Sequence, residues 1–151
     1  MSRLVLVVMA AGMLCASCAA PPVATEFDDA ATFARSFDDV WTAVMEVFAD
    51  NMWAIDNLEK DSGLITTDWL SIGGDWSKYA DCGKDFASTQ SLTTDAVRFN
   101  VFVKQVGPDV VVRVNCLFTQ ASSIWWSGKV ECLSKGYLEA KILAEVNEKL
   151  L

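Results

Sequence analysis

The strongest periodic signal in the chain is a pair of alternating runs. Val97, Phe99, Val101 and Val103 alternate with Arg98, Asn100 and Lys104, and after a Gly107-Pro108-Asp109 turn Val110, Val112, Val114, Cys116 and Phe118 do the same. A period of two puts one set of side chains on each face of a strand, so the two runs predict a long hairpin with one buried face. Two shorter strand-like runs, 53–59 and 64–69, flank Lys60-Asp61-Ser62-Gly63, whose glycine supplies the positive φ that hairpin loops often need. They predict a second hairpin.

Elsewhere the spacing changes to that of helices. Phe37, Val40, Trp41, Val44, Val47, Phe48 and Met52 fall three or four apart, as one buried helical face requires. Ser36 with Asp39 three residues on makes a capping box at its start, and Asp38 and Asp39 suit the positive end of the helix. Leu138, Ile142, Val146 and Leu150 mark a second amphipathic helix, with Lys149 in its last turn. A short strand at 32–35 precedes the first helix, and 124–131 can form a late strand that Ser127-Gly128 interrupts. Between 70 and 95 no period holds, which predicts a loop longer than compact domains usually carry without a purpose. The order β-α-β-β-β-β-(β)-α predicts an α+β domain over 28–151. An antiparallel sheet of four to six strands has both helices packed on one face, in a helix-grip-like arrangement.

The first eighteen residues change the picture from fold to location. Arg3, then an uncharged run over 4–14, then Cys15-Ala16-Ser17-Cys18, has the layout of an export signal. Ala16-Ser17-Cys18 resembles the bacterial lipobox, with Cys15 at the position where leucine is usual and Leu14 beside it. The resemblance implies a signal peptide over 1–17, acylation of Cys18 (palmitate among its chains) and a lipidated tether over 18–27 that Pro21-Pro22 stiffens. Cleavage near Ala20 and an uncleaved anchor are the two other readings of the same stretch.

The whole chain carries 12 basic against 20 acidic residues, a net charge of −8, which argues against nucleic acid and against a polybasic contact with anionic lipid. The bilayer partner is reached through the lipid on Cys18. Export also means an oxidising space, and Cys82, Cys116 and Cys132 then remain to be paired. Cys116 falls on the apolar face of a strand while Cys82 and Cys132 sit in turn-rich surroundings, which favours a Cys82–Cys132 disulfide. Cys116 with either partner, or no bridge, are the remaining arrangements.

Candidate chemistry is thin. The chain has no histidine, so the commonest general base and zinc ligand are missing. The three cysteines lack the Cys-x-x-Cys spacing of a zinc site. Asp75, Asp81 and Asp85 offer a loose calcium site as an alternative to a solvated acidic loop, but they are not spaced as an EF-hand, and Gly73-Gly74 lacks the Lys-Ser/Thr and following helix of a phosphate loop. We expect no catalytic residues, no cofactor and no metal. What stands out is aromatic: Trp69, Trp76 and Tyr79 lead into the long loop, and Trp125-Trp126 lie between the late strands, forming either core or a binding surface. Trp41 and Trp53 belong to the faces that form the core.

Three segments, Ser36-Phe-Asp-Asp-Val-Trp41, Asp61-Ser-Gly-Leu-Ile-Thr-Thr67 and Cys132-Leu-Ser-Lys-Gly-Tyr-Leu-Glu139, resemble small bacterial lipoproteins similar to the helix-grip domains of BamC (NlpB). That is an accessory lipoprotein of the outer-membrane β-barrel assembly machinery. The resemblance implies a lipid-anchored location on the outer membrane, facing the periplasm, and an envelope protein as partner. The expectation is a non-enzymatic interaction module of the cell envelope; the alternative is a small-ligand or glycan-binding lipoprotein with an aromatic-lined pocket.

Overall fold

The structure, a computed structural model, describes residues 21–73, 75–83, 93–122 and 128–151. Its elements are β1 (Ala30–Phe33), α1 (Phe37–Asp50), β2 (Ile55–Glu59), β3 (Leu64–Thr67), a 3-10 turn at Trp76–Lys78, β4 (Ala80–Asp81), β5 (Thr93–Val106), β6 (Asp109–Ser122), β7 (Lys129–Ser134) and α2 (Tyr137–Lys149). The strands form one antiparallel sheet in the order β2-β3-β5-β6-β7-β4, and β1 also pairs with β6. Both helices lie on one face, giving the expected α+β domain with seven strands rather than four to six.

The ribbon β5–β6 is the spine, paired without interruption from Thr93↔Ser122 to Val106↔Asp109. Its inward residues Val97, Phe99, Val101, Val103, Val110, Val112, Val114 and Phe118 are all buried. Against them α1 sets Val40, Trp41, Val44, Val47 and Phe48, and α2 sets Leu138, Ile142 and Val146. Phe48, Trp53 and Phe99 meet with ring centroids 5.0 to 5.7 Å apart, edge-on or tilted, a geometry worth about 0.5–1.5 kcal/mol per pair beyond area burial.

Local signals account for the helix ends. Ser36 Oγ accepts from Asp39 N–H at 3.2 Å and donates to Asp39 Oδ2 at 2.7 Å, so the N-cap read from sequence is made, through the hydroxyl alone. The other end corrects an expectation. Met52 is not on the buried face but 90% exposed, because the helix stops at Asp50 and Met52 turns left-handed at φ 52°. Trp53 N–H then bonds to Phe48 O and Met52 N–H to Ala49 O, both at 3.1 Å, a Schellman motif with methionine where glycine is usual. The apolar contact that accompanies this motif is Trp53 on Phe48.

In the first hairpin Gly63 has φ +71°, and any Cβ there would collide with the carbonyl of Val103, whose N–H bonds to Gly63 O at 2.8 Å. Two further corrections concern the sheet's far side. The stretch 70–95 is not a bare loop: Leu70 exchanges hydrogen bonds with Val97 at 2.8 and 2.9 Å, and β4 pairs with β7. The late strand runs Lys129–Ser134 instead of 124–131, and 124–127 lie outside the described residues.

Candidate functional site

Along one edge of β6 the neighbours change. β1 pairs with Val110 to Arg113 and β7 with Phe118 to Ala121, so neither strand pairs with the stretch 114–117. In an antiparallel strand alternate residues turn both backbone groups to the same side. Val114 N–H points into this gap and donates to Asp29 O at 2.8 Å, so Cys116, two residues on, turns its own backbone there as well. Residues 25–29 cross the gap as a strap. Together with Val114, Asn115, Cys116, Ser134 and Glu139 they line a cleft of about 770 Å³.

Glu139 is what sets this cleft apart. It is 1% exposed, one of three buried polar side chains among the described residues. Gly136 sits at the N-cap of α2, where its φ of +79° and the close cover of the Phe27 ring leave no place for a side chain, so no side chain caps the helix there. Just before the helix, Ser134 Oγ accepts from Gly136 N–H at 3.0 Å and donates to Glu139 Oε1 at 2.7 Å. The helix start is favourable for a carboxylate. Oε2, however, has no hydrogen-bond partner among the described residues. Beside it stands Cys116, whose S–H is a weak donor. Burial first, and then the charge and side chain of Glu139, push the Cys116 thiol well above the ordinary thiol range, so it is a neutral, unreactive group.

The rim is acidic too, carrying Glu26, Asp28 and Asp29, with Arg113 3.7 Å from Asp29 at the surface. Among the described residues no lysine or arginine lines the cleft. Among the described residues no group of three cysteine or carboxylate side chains is arranged to hold a metal ion.

The residues expected from sequence fall elsewhere. Cys82 and Cys132 are bonded, with Cys116 free, and the bond fastens β7 beside the 3-10 turn and β4. Trp69 lies 39% exposed on the sheet face away from the helices, with Lys129 Nζ 4.0 Å from its ring centre. Trp76 is half-buried, edge-on to Phe118 at 5.5 Å, and its Nε1 has no partner among the described residues. Tyr79 is half-buried against Tyr137 at 5.2 Å. The three therefore do not converge on one pocket. Trp125, Trp126, Cys18 and Asp85 lie outside the described residues. Asp75 and Asp81 each accept from nearby backbone: Asp75 from Ser77 N–H, and Asp81 from Gly83 and Val23 N–H. The Ser77 hydroxyl also holds the Asp75 carboxyl below its ordinary value.

Glu139 carried one signal in the sequence, its place three residues after a glycine at a helix start, which also describes an ordinary exposed dipole partner. The chain matches no protein-family model and no curated protein. Among the described residues no helix is long and apolar enough to cross a membrane.

Proposed function

We propose that this chain is a membrane-tethered, non-enzymatic interaction module of the bacterial periplasm. An acylated Cys18 holds it on the outer membrane, where it contacts an envelope protein, with outer-membrane protein assembly as the context that the BamC-like segments imply. The observation that supports this most is the uncovered face of the sheet. Both helices cover the other side, while Trp69, Phe102, Leu117 and Leu133 stand 37–41% exposed here. Arg98, Arg113 and Lys129 stand among them. Aromatic and aliphatic groups set among arginines are the composition of protein interfaces. The buried Cys132 in its disulfide agrees with an oxidising compartment.

Two measurements test it. Cells fed labelled palmitate should label the wild type and not Cys18→Ser; equal labelling removes the tether. A photo-crosslinking residue placed at Phe102 or Leu117 should trap one envelope protein that the same residue at Thr42 or Glu46, exposed on α1, does not. Trapping from α1 alone would overturn the assignment of the open face. The second reading, an aromatic-lined pocket for a glycan, is not favoured by aromatics that lie apart.

A further inference from the structure

The open face of the sheet is not flat. Side chains on it stand in rows across the strands, and the register decides which of them are neighbours. One row sets Leu64 on β3 opposite Phe102 on β5. Two residues along, Thr66 stands opposite Asn100, and Asn100 opposite Asn115 on β6. Two further on, Arg98 stands opposite Leu117. The middle row is polar and shorter than the rows beside it, and a depression of about 290 Å³ lies there, lined by Thr66, Asn100, Asn115, Arg98 and Leu117. Its flanking rows are four residues apart along β5, which is about 14 Å in a strand. Leu64 and Phe102 make one wall; Leu117 and the hydrocarbon stem of Arg98 make the other.

The floor has a defined hydrogen-bonding pattern. Asn115 Nδ2 donates to Asn100 Oδ1 at 2.9 Å, which orients both amides. Asn115 is exposed and Asn100 half-buried, and neither makes another side-chain hydrogen bond among the described residues. The pair therefore offers a donor, Asn100 Nδ2, beside an acceptor, Asn115 Oδ1. The complement is an acceptor beside a donor, which is what a peptide backbone carries. In an extended chain one residue turns its C=O and N–H to the same side, and successive side chains stand at right angles to them, alternately left and right. Laid edge-on across the strands, such a chain sets one C=O and one N–H on the amide floor and sends its side chains to the two apolar walls. A helix has its backbone groups spent internally and would press apolar side chains onto the amides. Charge agrees: no carboxylate lines the groove, and Asp56 already answers Arg98, so the matching surface is uncharged, unlike an anionic lipid headgroup.

We propose that this groove binds a short extended polypeptide segment, apolar on both sides and held through its backbone. The inference rests on the open face being an interface and names the kind of segment a partner presents there.

The test uses the full-length chain in phosphatidylcholine nanodiscs, with empty discs as the blank. The probe is a fluorescent peptide with a core of five valines and leucines flanked by serines, read by anisotropy. Its ester analogue, with oxygen in place of each core N–H, keeps the side chains and loses the donors. The peptide should bind and the ester should bind at least about tenfold more weakly, the scale of one or two lost hydrogen bonds. Asn100→Leu with Asn115→Leu should weaken the peptide by a similar factor, while Thr42→Leu on α1 should not; thermal melts certify that the variants fold. No peptide binding, equal binding of the ester, an unchanged affinity in the asparagine variant, tighter binding of a leucine-lysine helical peptide, or displacement by phosphatidylglycerol vesicles would each overturn the groove. A crosslink from Phe102 that persists in the asparagine variant would also overturn it and leave the envelope partner in place. Peptide binding that needs the two asparagines, without any envelope crosslink, would uphold the groove and remove that partner.

Discussion

Two buried polar side chains sit on the helix side of the sheet, and they are treated in opposite ways. At the seam of β3 and β5 the backbone ladder ends at Thr66↔Asn100, and the Thr67 hydroxyl takes over the next rung. It donates to Phe99 O at 3.3 Å and accepts from Phe99 N–H at 3.1 Å. At the gap in the strands along β6, Glu139 has one oxygen held by Ser134 and the other left open. Thr67 is a polar group that completes the fold, and its removal should only harm. Glu139 is a polar group the fold leaves incomplete, and its replacement by glutamine should cost little. A buried group's worth is therefore read from its unpaired atoms as much as from its burial.

The largest effect that sharpens this contrast comes from the disulfide, which fastens β7, one wall of the gap. Its partners are 50 residues apart, and the chain-entropy argument gives about 4 kcal/mol for a loop of that size, an upper figure because strain subtracts. Cys82→Ser with Cys132→Ser should lower stability by up to that amount in denaturant melts. Hydrogen exchange should show β7 losing protection before β3 and β5; uniform loss would mean the two regions are one cooperative unit.

Next comes the direct pair. Thr67→Val should destabilise by about 1–3 kcal/mol, since Phe99 loses both bonds where water cannot replace them. Glu139→Gln should stay within about 1 kcal/mol of wild type, because the amide oxygen can keep the Ser134 bond. If Glu139→Gln proves the more damaging of the two, the contrast fails.

The smallest effect depends on pH. The Cys116 thiol is raised in the folded state, so its contribution is complete below the unfolded thiol's value of 9.0 and is lost as pH rises above it, when only the unfolded chain ionises. By pH 10 the wild type should have lost about 1.4 kcal/mol more than Cys116→Ala, relative to pH 7. Parallel curves for the two proteins would place the thiol in water.

Legibility in the sequence followed the range of the interactions. The β5–β6 ribbon and α1 were readable because alternation, helical spacing and the Ser36–Asp39 cap are all local. The disulfide was readable from the polar neighbourhoods of Cys82 and Cys132, set against the apolar strand face that holds Cys116. Met52 misled because its spacing from Phe48 fits one more helical turn, while the left-handed exit is fixed by Trp53 packing back on Phe48. β4 was missed because two residues have no period of their own; they are a strand only beside Ser134 and Leu133. Glu139 was unreadable for a related reason. Its burial is decided by where β1 stops and β7 starts along β6, two boundaries that no window around residue 139 contains.

The Cys82–Cys132 bond also sets the route that tension takes through the molecule. A pull between Pro21 and Leu151 passes along the chain to Cys82, crosses the sulfur bridge and continues from Cys132 into α2. Residues 83–131, with all of β5 and β6, hang off that line as a closed ring. Stretching can peel β1, α1, β2 and β3 from one side and α2 from the other, yet about 170 Å of contour stays locked in the ring until a reductant opens it. The sheet's spine is mechanically bypassed.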